Sequence, residues 1–530
     1  MFANSPLRHR AFRSFYVGAV GTALGFTMLV SMAAWMMTTL STSELLVALV
    51  QSAATIPSLL FGLFAGALAD LTDRRRVITI AQSILTGASL LLALSALFGL
   101  LNPWLLLGFT FVVGIGFAFY MPAQSARVNE LVDSADLPRA VALGAVAFNV
   151  SRAVGPAIAG SVAAYQGAGM ALLLSVACFL PMFIGVRGGG AQPPALPGVR
   201  ETLLGSMGSG LRFARHSVAM RSLIIKNVSF AVCASALWAL LPVIARDQLA
   251  LGAGGFGLLF GMFGTGAVVS ALLMPYQLHR YSLNTVVAGN VALWIVASAV
   301  VAASHIPAVA MAGAVGAGAA WVGVLASLGA GMQSTAPAWV RARAVALGLL
   351  SVQASLALGS AAWGALAHAA GTQIAVIAAA AAMLVLYGLN RRARVTLGSL
   401  EDVTPFAHLP DLSLSAEPMP DDGPVLVQVE YRIERQRRAE FMSLIGTIEP
   451  TRRRNGAFDW RVFRDLSEDG RFVERFIISS WAEYIRSRAR MTIADRELQN
   501  RVMQLQKPGT PVQVSRLIGV EPDQRARRRG

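Results

Sequence analysis

The sequence predicts an all-α membrane protein with twelve transmembrane helices in two six-helix halves, followed by a small α+β domain. Three observations indicate this fold class. Of the 530 residues, 55% are hydrophobic and only 14% are charged, which is typical of polytopic membrane proteins. Apolar segments of bilayer-spanning length recur up to residue 389. Segments in which apolar residues alternate with polar or charged residues, as in β-strands, begin only after residue 422.

The apolar segments fall into two sets of six, separated by a polar interval that is rich in glycine and proline. They lie at about 14–39, 45–69, 77–101, 104–125, 140–164 and 168–186, and then at 221–245, 255–276, 282–304, 307–335, 344–367 and 371–389. The predicted domains are a first half (1–187), a central cytoplasmic loop (188–218), a second half (219–394), a linker (395–422), a C-terminal domain (423–520) and a basic tail (521–530).

The distribution of charge predicts the topology. Short loops rich in Lys or Arg stay on the cytoplasmic side of a membrane, and the basic residues of this chain lie in alternate loops, whereas the other loops have almost no net charge. Both termini are therefore expected in the cytoplasm, and a bacterial inner membrane is the expected location. This pattern also excludes the nucleic-acid partner that a net charge of +16 would suggest in a soluble protein.

The two halves contain an internal repeat. The sequence Arg139-Ala-Val-Ala-Leu-Gly144 recurs as Arg343-Ala-Val-Ala-Leu-Gly348. The same offset pairs Gly155 with Gly359 and Gly160 with Gly364. Halves related in this parallel manner are expected to surround an axis along the membrane normal.

The connection between the second and third segments, Gly66-Ala-Leu-Ala-Asp70-Leu-Thr-Asp73-Arg74-Arg75-Arg76, resembles the signature loop of major facilitator superfamily transporters. It departs from that signature at Leu71, where a basic residue is usual, and at Asp73, where glycine is usual. Gly66 is expected to let two helices approach closely. The resemblance implies a cytoplasmic conformational latch made of Gly66, Asp70, Arg74, Arg75, Arg76, Arg139 and Arg343.

A longer resemblance lies in segments four and five, where Pro122–Arg127, Phe148-Asn149, Arg152, Gly155-Pro156 and Gly160 stand in order. At these residues the sequence resembles proteins of the superfamily branch that includes the enterobactin exporter and the transmembrane secretion effectors. The resemblance implies export of a small molecule driven by an ion gradient. Gly155, Pro156 and Gly160 match an exporter motif of helix 5, which tolerates a kink and packs closely. Ordinary packing of small residues is the alternative interpretation.

Arg152 is the strongest candidate for a substrate contact. It follows Arg139 by 13 residues, or about 20 Å along a helix. An ionisable group at that depth is costly and usually faces a cavity or a partner. It is predicted either to contact an anionic substrate or to make a gating hydrogen bond, and the alternative is an arginine held by helix-end carbonyls. The other predicted cavity residues are Asn149, Gln51, Trp35, Phe119 and Trp238, and Trp294, Trp321 and Trp339 are further aromatic residues able to line it.

Groups that carry protons are scarce in the predicted spans. No span has an Asp or Glu near its middle, so proton antiport is implied by the resemblance alone, with Asp70, Glu44 and Glu130 as candidates. Lys226 is expected to snorkel to the cytoplasmic surface. The sequence has no Gly-Lys-Ser/Thr phosphate loop and no metal-ligand spacing. No cofactor and no metal are expected.

After the linker, the pattern predicts strands at 425–433, 457–465, 471–480 and 511–518, with helices at 437–448 and 482–505. This β-α-β-β-α-β order indicates a small ferredoxin-like domain. It contains no histidine or cysteine, so a regulatory or dimerising module is expected rather than an enzyme. The basic tail is expected to be solvated or to bind lipid headgroups weakly.

The predicted function is secondary active export of a siderophore or drug-like compound, with membrane lipid, a small-molecule substrate and protons as partners. Two alternatives stay open from the sequence. The first is a lipid or lysolipid flippase on the same fold. The second is a membrane-anchored sensor or enzyme that acts through residues 423–520.

Overall fold

A computed structural model describes residues 6–133, 136–188, 203–337, 339–393, 395, 398, 400–404, 406 and 418–520. The side chains of Leu63, Ala67, Asp70, Leu71, Pro138, 203–207, Ala342, Arg392, Leu400 and Asp402 are not described. Residues 189–202, most of the predicted linker and the basic tail lie outside the described residues.

The predicted twelve spans are confirmed within the described part of the chain. In chain order they are Arg10–Leu40, Glu44–Leu71, Arg74–Leu97, Pro103–Leu131, Leu137–Gln166, Ala168–Phe179 with Pro181–Gly185, Val218–Val243 with the π-helical turn Ile244–Gln248, Ala253–Arg280, Leu283–Ala303, Pro307–Thr335, Arg341–Ala370 and Thr372–Leu389. They are called spans 1 to 12 below.

Polar residues begin several of these helices. The Asp73 carboxylate accepts a hydrogen bond from the Arg75 amide at 2.9 Å and so caps span 3. Asn102 caps span 4 in the same way, with Pro103 at its first helical position. Such caps satisfy amides that have no partner inside the helix. Because Asp73 caps span 3, its helix begins at Arg74, three residues before the apolar segment at 77–101.

The chain forms two compact units. The membrane unit comprises Met1–Val199, Ile225–Leu328 and Gly348–Arg394. The C-terminal unit comprises Arg200–Ile224, Gly329–Leu347 and Val395–Gly530. The C-terminal unit therefore contains not only the domain after the linker but also the segment that leads into span 7 and the turn between spans 10 and 11.

Glycines bring the two halves of the membrane unit together. A side-chain carbon at Gly160 of span 5 would lie 2.7 Å from the α-carbon of Gly257 in span 8. On the other side of the bundle, the Ser52 hydroxyl of span 2 donates to the Ala357 carbonyl of span 11 at 2.7 Å. Backbones can approach this closely only where side chains are absent or small. The prediction of close packing at Gly160 agrees with this geometry.

Gly66 behaves differently from the prediction. Among the described residues, nothing from another helix lies within 4 Å of the position that its side-chain carbon would take. The expectation of a close helix approach at Gly66 is therefore wrong for this conformation. Gly144 in the repeat has equally open surroundings.

The C-terminal domain has the predicted ferredoxin-like topology. Its strands are β1 (Val425–Arg432), β2 (Phe458–Arg464), β3 (Arg471–Ile478) and β4 (Gln513–Ile518). The antiparallel sheet has the order β2-β3-β1-β4, with Val425 opposite both Ile478 and Ile518. Alternate residues of β1 are buried. They form the core with apolar side chains of the flanking helices.

The helices of this domain differ from the prediction at two places. The single helix expected at 482–505 is two helices, Trp481–Ala489 and Ile493–Met503. Thr492 and Asp495 form a reciprocal capping box at the start of the second helix. This pair satisfies two otherwise unpaired amides, so a new helix begins where the apolar period alone suggested continuation. The first helical region is likewise divided into Arg438–Gly446 and Glu449–Arg454.

Part of the predicted central loop is helical. We call the helix Leu203–His216 the connecting helix. Its Phe213 is fully buried and contacts the edge of Trp339, with ring centroids 6.0 Å apart. Arg212 pairs with Glu483 of the C-terminal domain at 3.1 Å, and the Arg490 guanidinium lies 4.5 Å from the Trp339 ring. Trp339 therefore belongs to the C-terminal unit and does not line a membrane cavity.

Candidate functional site

The most unusual side chain of the membrane unit is Arg152 in span 5. Its guanidinium carbon lies 4.7 Å from the ring centroid of Trp238, 5.3 Å from that of Trp321 and 6.0 Å from that of Phe148. We call these three rings the aromatic box. Aromatic faces attract cations through the ring quadrupole. The box therefore stabilises a positive charge inside the membrane unit without supplying a negative one.

The second half of the protein builds most of the box. Trp238 of span 7 stacks on Trp321 of span 10, with centroids 5.2 Å apart. The rings of Phe260 and Phe263 from span 8 contact Trp238 edge-on at 5.2 and 5.0 Å. Edge-to-face and offset stacked pairs at these distances are favourable. Trp238 is thus fixed within the second half, while Arg152 belongs to the first.

Arg152 has no acidic partner within the described part of the chain. None of the ion pairs that the structure describes includes it, and no hydrogen bond from its guanidinium is found among the described residues. The side chain is half-buried. A guanidinium has five N–H donors, and none of those of Arg152 is hydrogen-bonded within the described part of the chain.

A second contact joins the halves at the same tryptophan. The Trp238 indole N–H donates to the Gln51 side-chain oxygen of span 2 at 3.0 Å. Gln51 and Arg152 therefore reach Trp238 from two different helices of the first half. Of the predicted cavity residues, the structure brings Arg152, Trp238 and Gln51 together.

The other predicted cavity residues have different neighbours. Trp35 stacks on Phe256 with centroids 5.2 Å apart. Phe119 contacts Phe61 and Phe64 within the first half. The Asn149 amide donates back to the Ala145 carbonyl of its own helix at 2.9 Å. None of these described contacts joins Trp35, Phe119 or Asn149 to Arg152.

Two residues of the aromatic box, Trp321 and Phe148, are not singled out by the sequence as cavity residues. Trp321 was only one of several aromatic candidates, and Phe148 was noted only as part of the family resemblance. Phe148 lies four residues before Arg152 on the same helix, and side chains at that spacing share a helix face. That spacing was the available signal for Phe148. No comparable local signal identifies Trp321, because it comes from a different span.

A separate charged cluster lies at the first half's basic loop. Glu130 of span 4 pairs with Arg74 at 2.5 Å and also with Arg127. Arg74 additionally donates to the Ala69 carbonyl at 3.2 Å, while Arg76 is exposed. Arg127 is fully buried. Glu130, a predicted coupling candidate, is therefore an ion-pair partner that links spans 3 and 4 in this conformation.

The remaining latch residues have unlike partners. Arg139 lies 3.8 Å from Asp136, whereas its repeat counterpart Arg343 donates to the Ser209 hydroxyl at 2.6 Å. Arg75 contributes its backbone amide to the Asp73 cap. The Asp70 side chain lies outside the described part of the chain, so the latch stays a prediction.

The predicted outer end of the bundle holds the third coupling candidate. Glu44, at the start of span 2, lies 3.3 Å from the His368 imidazole at the end of span 11. This contact again joins the first half to the second. Among the described residues, no group of three His, Cys, Asp or Glu side chains is placed to hold a metal ion.

Lys226 of span 7 does not snorkel as expected. It is only 2% exposed, and its ammonium lies 4.2 Å from the Tyr387 ring of span 12. The neighbouring Asn227 amide donates to the Gly348 carbonyl at 3.1 Å. The lysine is therefore packed between helices of the second half.

The C-terminal domain also contains a buried charge. The Glu474 carboxylate accepts hydrogen bonds from Tyr431 at 3.0 Å, Trp460 at 3.0 Å and two Arg452 nitrogens at 2.9 and 3.4 Å. Burial alone would raise the pKa of Glu474, but Arg452 and these hydrogen bonds lower it below its usual value. Four bonds fill the acceptor capacity of a carboxylate. This cluster is thus fully engaged in holding the domain together.

Comparisons with known proteins agree with this architecture. A family model described as transmembrane secretion effector matches residues 2–524. The staphyloferrin A transporter of Staphylococcus aureus (strain NCTC 8325 / PS 47) is 29% identical over 147 residues. That match covers 27% of this chain and only 37% of the staphyloferrin A transporter, well under two thirds of its length.

Solved structures resemble the membrane part. A bacterial homologue of the human lysosomal transporter Spinster, inward-facing and unoccupied, superposes with a TM-score of 0.58 at 14% identity over 73% of this chain and 98% of that one. The nucleoside transporter NupG gives 0.58 at 14% identity over 72% and 98%. A bacterial homologue of the iron transporter ferroportin, also inward-facing, gives 0.55 at 15% identity over 72% and 98%.

At these identities the structural likeness establishes the fold alone, which is that of major facilitator transporters. The family model, by contrast, spans nearly the whole chain, including the C-terminal domain. This protein therefore belongs to the transmembrane secretion effector family of major facilitator transporters.

Proposed function

We propose that this protein is a secondary active transporter that exports a small molecule across the bacterial inner membrane by alternating access. The observation that carries this proposal is Arg152, a cation that has no acidic partner among the described residues and contacts Trp238 across the boundary between the halves. In transporters built from repeats, substrate sites lie at that boundary, near the middle of the bilayer. An intramembrane arginine with free donors is suited to bind a substrate.

The chemistry of this site favours a substrate with an anionic group and an apolar or aromatic body. Arg152 supplies charge and N–H donors, while the indole and phenyl rings supply flat apolar surfaces. A siderophore or a drug-like compound satisfies both requirements. The partial match to a staphyloferrin A transporter supports the siderophore class.

The conformation is consistent with a cytoplasm-facing state. The contacts Glu44–His368 and Ser52–Ala357 join the halves at and near the predicted outer end. We propose that export requires these contacts to part, and that proton exchange at Glu44 accompanies that step. Glu44 is favoured over Glu130, because Glu130 is held by two arginines.

The test uses purified protein in liposomes with a pH-sensitive dye inside. Staphyloferrin A and a panel of anionic and cationic drugs are added with and without an imposed proton gradient. We expect flux of at least one anionic compound together with proton movement, and loss of both in Arg152→Gln. Arg246→Gln is the matched control, because Arg246 pairs with Asp247 in a predicted outer loop. Equal activity of both variants would remove Arg152 from the substrate path.

A further inference from the structure

We propose that Trp238 is a positioning residue that holds Arg152 as a planar fork for a carboxylate or a similar flat oxyanion. This inference rests on the proposed transport function and specifies how its site recognises the substrate. It also implies that the binding geometry exists only while the two halves meet at Trp238.

The first part follows from how the guanidinium is held. Trp238 and Trp321 contact Arg152 through their rings, and no hydrogen bond from Arg152 is found within the described residues. The guanidinium carbon lies 4.7 Å from the Trp238 ring centroid and 5.3 Å from that of Trp321, distances at which a guanidinium stacks on a ring and keeps its N–H donors free along its edge. Two parallel N–H donors match the two oxygens of a carboxylate, which gives both strength and orientation. A lysine at this position has no such fork.

The orientation of Trp238 is itself fixed. Stacking on Trp321 holds one face of the indole, and Phe260 and Phe263 pack against it. The hydrogen bond to Gln51 at 3.0 Å sets the direction of the indole N–H. Rotation of Trp238 would break this bond and the stack together. Gln51 therefore supports Arg152 indirectly, through Trp238.

The second part follows from which half supplies each group. Arg152 and Gln51 come from the first half, whereas Trp238 and Trp321 come from the second. Separation of the halves at this level removes the aromatic faces from Arg152 and the acceptor from Trp238. The site then loses its orientation, and affinity for the anion falls. Opening and substrate release are coupled by this arrangement, since a ligand shifts a conformational equilibrium only through its different affinity for the two states.

The experiment measures binding rather than transport, so that its outcome is separate from that of the flux assay. Salicylate and salicylamide are the probes, because they share a ring and differ in the charged group. Equilibrium dialysis with labelled probes is carried out on the full-length protein in lipid nanodiscs. The unmodified protein is expected to bind salicylate at least about ten-fold more tightly than salicylamide. Trp238→Leu, Gln51→Leu and Arg152→Lys each keep a cation but lose the oriented fork, so each is expected to lower this ratio clearly.

Trp104→Leu is the control, because Trp104 is 72% exposed at the start of span 4, and it is expected to keep the ratio. A full ratio in Trp238→Leu combined with a lost ratio in Arg152→Lys would overturn the positioning role. Equal binding of the two probes by the unmodified protein would overturn anion recognition. Flux of a neutral substrate in the liposome assay would in that case still support the transporter proposal.

A covalent cross-link at the predicted outer end tests whether anion binding requires the two halves to be in contact. Glu44→Cys and His368→Cys are combined in a background in which Cys178 and Cys233 are replaced by alanine, and a short bifunctional thiol reagent joins the new cysteines. The cross-linked protein is expected to keep its full preference for salicylate, and binding is the only readout here because Glu44→Cys already removes the proposed proton-exchange group. Loss of that preference on cross-linking would show that the site is assembled in another conformation.

Discussion

The crossing of spans 5 and 8 offers a direct test of how the halves meet. A side-chain carbon at Gly160 would lie 2.7 Å from the Gly257 α-carbon and 2.6 Å from the Ala253 carbonyl oxygen. Carbon atoms normally approach to 3.5–4.0 Å, so Gly160→Ala must separate the two backbones locally by about 1 Å. Overpacking of this kind costs about 1–3 kcal/mol. The cost applies only to the conformation in which the helices touch.

Gly160→Ala is therefore expected to shift the equilibrium toward the state open at the predicted outer end, by roughly 5- to 150-fold. The assay is labelling of a cysteine introduced at Ser52, which is 1% exposed between spans 2 and 11. Cys178 and Cys233 are replaced by alanine, and a membrane-impermeant thiol reagent is applied from the outer side. The labelling rate reports the fraction of protein that is open.

Gly144→Ala is the matched control, since it makes the same change in the same helix at a position with open space around it. Its labelling rate is expected to equal that of the parent. If Gly160→Ala and Gly144→Ala label at the same rate, close packing at Gly160 does not govern the opening of the bundle.

Two further predictions concern the C-terminal unit. Glu474→Gln leaves the Arg452 guanidinium without its buried charge partner and is expected to destabilise the domain by about 3–5 kcal/mol, measured by limited proteolysis of the full chain in urea. Because the pKa of Glu474 is lowered on folding, its contribution is present above pH 4.5 and is lost as the pH falls through the folded value; stability that is flat down to pH 3 would contradict this. His216 has a pKa lowered by burial and by Arg453 and Arg215, so protonation opposes folding there. The connecting helix is expected to become more sensitive to protease as the pH falls below 6.5, and the same pH dependence in His216→Gln would contradict the assignment.

The fold divides the chain into two units with different contents. The membrane unit contains the aromatic box and the contacts between the halves. Within the C-terminal unit, the C-terminal domain contacts the connecting helix through the Arg212–Glu483 pair and contacts Trp339, in the turn between spans 10 and 11, through Arg490. The C-terminal domain therefore contacts two segments that continue directly into membrane spans.

The sequence by itself determined the features that depend on local pattern. Span number follows from the length of each apolar segment, because every backbone group in a bilayer must be paired within a helix. The order of the ferredoxin-like strands follows from alternation and turn residues. Each of these quantities is set by residues close together in the chain.

Only the tertiary structure decided which side chains meet. Two of the three rings around Arg152 come from spans 7 and 10, more than 80 residues away, and their contact depends on how each helix is rotated about its axis. The same holds for Gly66 and Gly160, two glycines that look alike in the sequence, of which only Gly160 faces another backbone. The helix predicted at 482–505 is interrupted at Thr492, because the capping box of Thr492 and Asp495 starts a new helix there although the apolar pattern continues. Rotation and packing are collective properties, because the lowest free energy belongs to the whole bundle and not to any one segment.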